Sequence, residues 1–188
     1  MPVQQLKEFL DKAGTEYVCL SHPPAFTAQE LARHVQIAGD QVIKTVIIEL
    51  DGKMAMLVMP ATWRVRWDRL TKILDTDFVQ LADEQEFKDS FPDCEVGAMP
   101  PFGNLFGMTV YCSEALTTQP DLAFSAGTHT ESVHMTTKDF MQLVQPMVIS
   151  QGFTKPGAQK PAWLIKGRAA HKPDLVQSDR VGSELARF

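Results

Sequence analysis

Apolar residues recur at helical spacing at Val3, Leu6, Phe9 and Leu10, and Gly14 follows as a C-cap, so a helix is expected over residues 2–14. Tyr17-Val18-Cys19-Leu20 reads as a short strand. His22-Pro23-Pro24 must be extended, because a residue before proline avoids the α region. Thr27 and Glu30 have capping-box spacing, which predicts a helix over residues 28–35 with Leu31, Ala32 and Val35 inward. Two apolar runs follow, residues 42–50 and 54–59, joined by Asp51-Gly52. Asp-Gly between such runs is a strong hairpin signal, and Pro60 closes the second strand. Helices are expected around residues 68–74 and 83–90, with a strand at 78–81 between them. Residues 95–107 hold three glycines and two prolines and form the longest irregular stretch of the body. Strands are expected at 108–112, 122–125 and 131–135, then a helix over 138–144 capped by Thr137.

Strands and helices are mixed without regular alternation. This favours an α+β fold with a mixed or largely antiparallel sheet over a doubly wound one. After Ser150 the pattern breaks down: Gly152, Pro156, Gly157, Pro161, Gly167 and Pro173 punctuate the segment. The expected organisation is a domain over residues 1–150 and an extension over 151–188, partly disordered or docked through Trp163-Leu164-Ile165. No internal repeat is evident.

Within the first hairpin strand a single lysine interrupts the apolar run, Val42-Ile43-Lys44-Thr45-Val46-Ile47-Ile48. A lysine is rarely fully buried, so its ammonium must reach water, a partner or a ligand. An edge lysine with a packed stem and a solvated head is the plain alternative to a cation at a pocket floor. Two further segments could line such a pocket. Gly97-Ala98-Met99-Pro100-Pro101-Phe102-Gly103 combines close backbone approach with stiffness, and its free N–H groups could bind a carbonyl or phosphate oxygen. Phe124-Ser125-Ala126-Gly127-Thr128-His129-Thr130 joins two apparent strands and offers Thr128, His129 and Thr130 as hydrogen-bonding groups, of which His129 could serve as acid, base or orienting donor.

Composition narrows the chemistry. The chain has 188 residues, 44% of them hydrophobic, and a formal net charge of -5. No overall basic field advertises nucleic-acid binding. The charge is uneven, however: residues 155–188 carry seven Lys or Arg against three Asp or Glu, a basic tail on an acidic body. No apolar stretch approaches the roughly 20 residues of a membrane span. The N-terminus lacks a signal pattern, so cytoplasmic residence is expected. Cys19, Cys94 and Cys112 match no zinc or redox spacing and are expected to be unpaired. The five histidines are scattered, so no metal is expected. A nucleophile elbow and a Walker loop are both missing.

Read in order, His22-Pro23, Thr27-Ala28-Gln29-Glu30-Leu31-Ala32, Ile43-Lys44-Thr45-Val46, the Asp-Gly hairpin, the Gly97 to Gly103 loop and Ala126-Gly127-Thr128-His129 resemble the YbaK/ProX family of aminoacyl-tRNA editing domains. The resemblance covers about residues 5–147. It implies a mixed fold around a barrel-like sheet with helices outside, similar to the insertion domain of bacterial prolyl-tRNA synthetases. It also implies hydrolysis of mischarged aminoacyl-tRNA, of the Ala-tRNA(Pro) or Cys-tRNA(Pro) class, without metal or organic cofactor.

Lys44 matches the family's essential lysine, Gly97 to Pro101 its G-x-x-x-P loop, and His129 a histidine that some members carry near the pocket. On that basis Lys44, Gly97 and His129 are the expected catalytic residues. Thr45, Ala98, Met99, Pro100, Pro101, Phe102, Gly127 and Thr128 are expected to bind substrate. The expected partners are mischarged tRNA, with tRNA(Pro) foremost, and a synthetase. The segment Trp63-Arg64-Val65-Arg66-Trp67 has the aromatic and basic character that suits unpaired RNA. The rival reading is a non-catalytic ligand-binding or regulatory module of the same fold.

Overall fold

The computed structural model describes residues 3–157. In chain order the first elements are α1 (Gln4–Lys12), β1 (Tyr17–Ser21), α2 (Ala28–Val35), β2 (Ile43–Leu50), β3 (Lys53–Pro60), β4 (Arg64–Val65) and α3 (Trp67–Ile73). They are followed by β5 (Val79–Leu81), α4 (Glu84–Phe87), β6 (Thr109–Ser113), α5 (Glu114–Thr117), β7 (Asp121–Ser125), β8 (Glu131–Thr136), α6 (Thr137–Val144), β9 (Met147–Ile149) and β10 (Phe153–Thr154). Short 3₁₀ turns occupy Lys88–Ser90 and Gly103–Phe106.

The fold is α+β with mixed sheets, as the patterning predicts. A five-stranded sheet has the order β5-β2-β3-β6-β9, a three-stranded sheet β1-β8-β7, and β10 pairs with β4. The β2–β3 hairpin is antiparallel, whereas β6 runs parallel to β3 and β9 parallel to β6. Among the described residues a single isolated bridge, Val42 to Ala123, links the two larger sheets, which do not close into a barrel.

Strand β3 lies at the centre of the five-stranded sheet, which explains its unbroken apolar run. Met56 and Val58 face the main core with Ile43 and Ile47 of β2, Leu6 and Leu10 of α1, and the packed rings of Phe102, Phe124 and Phe140. On the opposite face Ala55, Leu57 and Met59 join Ile48, Leu70 and the partly buried Trp63, Val65 and Phe153. A third cluster, Leu31, Ala32, Val42, Ala61 and Ala123, seats α2 against the region where the sheets meet. Two clusters pack on opposite faces of the hairpin and the third abuts its ends at Val42 and Ala61, so β2 enters the site region as rigid structure.

Local details depart from the patterning. The N-cap of α6 is Thr136, whose hydroxyl accepts the Asp139 N–H at 3.1 Å, one residue earlier than expected. Thr137 is instead buried in the first turn. Helix α5 and strands β4, β9 and β10 are two to four residues long and carry no local periodicity. Their existence depends on long-range partners. Thus Phe153 and Thr154 lie opposite Val65 and Arg64. The rest of the expected 151–188 extension, including Trp163-Leu164-Ile165, lies outside the described residues.

Candidate active site

Lys44 sits one residue into β2 and is partly buried. Its Nζ donates to the main-chain carbonyl of Trp63, in the turn that leads from β3 to β4. Burial, with the nearby Arg64 charge as a smaller cause, holds the ammonium below the ordinary lysine value. No carboxylate is recorded among its hydrogen-bond or ion-pair partners in the described residues. Among the described residues it is a cation without a counter-ion.

A cavity of about 260 Å³ opens beside it. Lys44 and Thr45 of β2 line it with Gly97, Met99, Ser125 and the segment Ala25-Phe26-Thr27-Ala28. The space falls below the ~300–1,000 Å³ typical of a drug-sized ligand. A small group would fit inside, with the bulk of its parent molecule outside. A larger cleft, about 930 Å³, runs along α2 between Gln29, Arg33, Asp40, Thr62 and Lys155. None of the expected site residues lines it, and its lysine is already ion-paired, so the smaller cavity is the better candidate.

Three loops make the walls, and His129 stitches them together. Its main-chain N–H donates to the Glu95 carboxylate at 2.6 Å, and its carbonyl accepts the Ala25 N–H at 2.8 Å. Its ring nitrogens lie 3.0 Å from the Ala25 carbonyl and 3.1 Å from the Val96 carbonyl. Both partners are carbonyl oxygens, so each contact is a donated bond only where the facing ring nitrogen carries a proton. The ring also packs on Phe26, with centroids 4.7 Å apart. His129 thus braces the cavity from behind, and it is not one of the lining residues.

Gly127 ties the same loops through its backbone. Its N–H donates to the Ala98 carbonyl at 3.0 Å and its carbonyl accepts the Glu95 N–H at 2.8 Å. Thr128 contacts Glu131 at 3.4 Å. On the glycine-proline loop, Gly97 has φ +90° and is exposed at the cavity. Its N–H points at the Met99 sulfur at 3.2 Å, a weak acceptor that a better one would displace. The Ala98 N–H is already engaged with the Glu95 carbonyl at 2.9 Å, and Ala98 is fully buried. Pro100 and Pro101 are buried, and Phe102 belongs to the main core, where its ring meets Phe9, Phe124 and Phe140.

Phe26 is a cavity residue that the sequence pattern does not single out, and Ser125, within the candidate 124–130 segment but without an expected role, lines the cavity too. Phe26 is 67% exposed despite its size, a signal visible only in three dimensions. The loop carrying it is anchored by Glu30, whose carboxylate accepts the N–H groups of Phe26 at 2.8 Å and Thr27 at 3.1 Å. Those bonds, Phe26's foremost, hold the Glu30 carboxyl below its usual range. Trp63 is partly buried in the cluster around Leu57, Met59 and Leu70, while Arg64 and Trp67 are exposed.

A cysteine nucleophile does not fit. Burial pushes the Cys94 thiol up to about 11 and that of Cys112 up to about 12, and it raises the Cys19 thiol as well. Among the described residues no group of three or more His, Cys, Asp or Glu is placed to hold a metal ion.

Fold and site define an α+β protein with a small cationic pocket braced by three loops. A family model for the aminoacyl-tRNA editing domain matches residues 22–143, and the chain belongs to that family. Proline--tRNA ligase of Geobacillus kaustophilus (strain HTA426) is 24% identical over 115 residues, which is 61% of this chain and 20% of the ligase. The same enzyme of Geobacillus thermodenitrificans (strain NG80-2) is 26% identical over 115 residues, with the same 61% and 20% coverage. The chain therefore spans about a fifth of the length of these relatives. The crystal structure of a candidate trans-editing enzyme for prolyl tRNA synthetase has a TM-score of 0.68 at 19% identity, covering 78% of this chain and 93% of that one. At that identity the likeness shows a shared fold.

Proposed function

We propose that this chain is a trans-editing aminoacyl-tRNA deacylase, acting on mischarged tRNA of the Ala-tRNA(Pro) or Cys-tRNA(Pro) class. One observation carries the reading: a partly buried ammonium, without a counter-ion among the described residues, faces a cavity sized for a small aminoacyl group. Membership of the editing-domain family and likeness to proline--tRNA ligases support the choice of substrate class.

An aminoacyl ester is already activated, so the site need only position water and stabilise a developing oxyanion. Lys44 keeps one donor on the Trp63 carbonyl and offers the others to the ester and the terminal nucleotide. The Gly97 N–H trades the Met99 sulfur for the ester carbonyl oxygen. With the Ala98 N–H engaged, oxyanion stabilisation falls to Gly97 and Lys44. Thr45 and Met99 wall the side-chain pocket, and Phe26 at the mouth offers a ring face to the terminal base. Pro100, Pro101 and Phe102 stiffen the loop, while Gly127, Thr128 and His129 hold it in register. Water, oriented by the tRNA's own hydroxyl, adds to the carbonyl carbon. The ester C–O bond then breaks, releasing the free amino acid and the ribose hydroxyl. Exposed Arg64 and Trp67 would meet phosphate and base beyond the pocket. A tRNA substrate brings with it a cytoplasmic setting and contact with a synthetase.

The test is a deacylation assay with a panel of mischarged tRNAs, wild type beside Lys44→Ala. Loss of a group that stabilises the oxyanion typically costs on the order of a hundredfold or more in kcat, and a drop of that size is expected. Full activity in Lys44→Ala, with the fold intact by circular dichroism, would remove the catalytic reading. Wild-type inactivity across the panel, with a ligand still bound at the cavity, would favour the binding-module alternative.

A further inference from the structure

The family match ends at residue 143, yet the chain continues along the segment that anchors Lys44. Strand β10 pairs with β4, placing Phe153 opposite Val65 and Thr154 opposite Arg64. The Arg66 N–H donates to the Gly152 carbonyl at 2.7 Å. One carboxylate then joins both sides: Asp40 accepts the Thr62 hydroxyl at 3.0 Å and the Lys155 ammonium at 2.8 Å. Residues 62–66 are therefore clamped at both ends by residues 152–155 and Asp40. Trp63, whose carbonyl receives the Lys44 ammonium, lies inside the clamp.

An ammonium has three donors in fixed relative directions. The carbonyl that holds one of them decides where the other two point. We propose that residues 152–155 form a strap that aims the Lys44 ammonium into the cavity, with Asp40 and Lys155 as its positioning residues. The inference rests on the catalytic reading of Lys44 given above. Asp40 and Lys155 do not touch the cavity; they act through Thr62 and the Trp63 carbonyl. Consistent with that linkage, Lys155 first and Thr62 next hold the Asp40 carboxyl below its usual range. The ion pair is solvent-accessible, with side chains 55% and 37% exposed, so as mere glue it would contribute little to stability.

The test uses the full-length chain with Asp40→Asn, Lys155→Ala and Lys155→Arg, and with Lys44→Ala as control. A misplacement of ~1 Å at a reacting group can cost ~100-fold, so a partial loosening is expected to lower kcat roughly tenfold in Asp40→Asn and Lys155→Ala. KM should stay within about twofold and the thermal midpoint should hardly move, because the lost interaction matters mainly in the transition state. Lys155→Arg keeps the charge and should retain activity. The Lys44 ammonium protons, followed by NMR hydrogen exchange, should exchange faster in Lys155→Ala than in wild type. That readout requires no turnover. If Lys44→Ala is inactive while Asp40→Asn and Lys155→Ala match wild type in kcat and proton exchange, the strap inference is overturned and the site reading stands. If Lys44→Ala is fully active, both fall.

Discussion

Lys44 carries opposite consequences for stability and for function. Its charged form is the one that burial disfavours, so its folded value lies below the ordinary 10.5. Between those two values the unfolded chain holds the proton and the folded chain does not. Stability therefore rises with pH across that window, and below it the full cost of the buried charge is present. Comparing wild type with Lys44→Met in urea melts from neutral pH up to 10.5, the difference should move in favour of wild type as pH rises. A pH-independent difference would show that the ammonium is solvated in the folded state. The two site glycines divide by what surrounds them. A Cβ on Gly127 would lie 1.8 Å from Val3 Cγ2, at φ +102°, so α1 and the 126–129 loop would have to part. Gly127→Ala should cost at least about 2 kcal/mol, read as a fall in the denaturation midpoint. A Cβ on Gly97 meets only His129 Cε1, at 3.5 Å, so substitution there strains the backbone at φ +90° and should perturb the site more than the core.

Element by element, the strongest signals were those whose physics is local. The capping box at Thr27 and Glu30 was visible from spacing, and the structure contains both of its bonds. The Asp51-Gly52 hairpin was equally visible, since both residues adopt the positive φ that the turn requires. The cap also has a second duty, because Thr27 lines the cavity and Glu30 holds the Phe26 loop. Thr27→Ala should destabilise the protein by about 1 kcal/mol, lowering the urea midpoint without changing m, and should also weaken substrate binding. Unchanged affinity in that variant would separate the helix cap from the site. By contrast β4, β9 and β10 escaped pattern reading because two or three residues have no period to detect. They are held by partners far along the chain, and the strap over residues 62–66 is built from such pieces.

For the whole molecule, charge sets the terms of any encounter with RNA. The net charge of -5 makes long-range attraction weak, so binding must rely on local cations such as Lys44, Arg64 and the basic residues of 155–188. For a single-stranded acceptor end the logarithmic salt slope should be about -0.7 for each phosphate neutralised, measurable by titrating tRNA binding against salt. Binding insensitive to salt would contradict phosphate contact. The sequence by itself determined the α+β class, the hairpin, the capped α2, and Lys44 as the polar outlier, because periodicity, turn chemistry and capping are nearest-neighbour physics. It also carried the family resemblance through the order of its motifs. Only the tertiary structure decided what surrounds that lysine. It brought Phe26 and Ser125 to the cavity and engaged the Ala98 N–H in a turn. It set His129 behind the wall as a brace and moved Phe102 into the core. Apart from the Ala98 turn, those outcomes turn on hydrogen bonds and packing between residues 30 to more than 100 positions apart, such as Ala25 with His129, Val96 with His129, and Phe9 with Phe102. No local rule encodes them, since each depends on where the rest of the chain has come to lie.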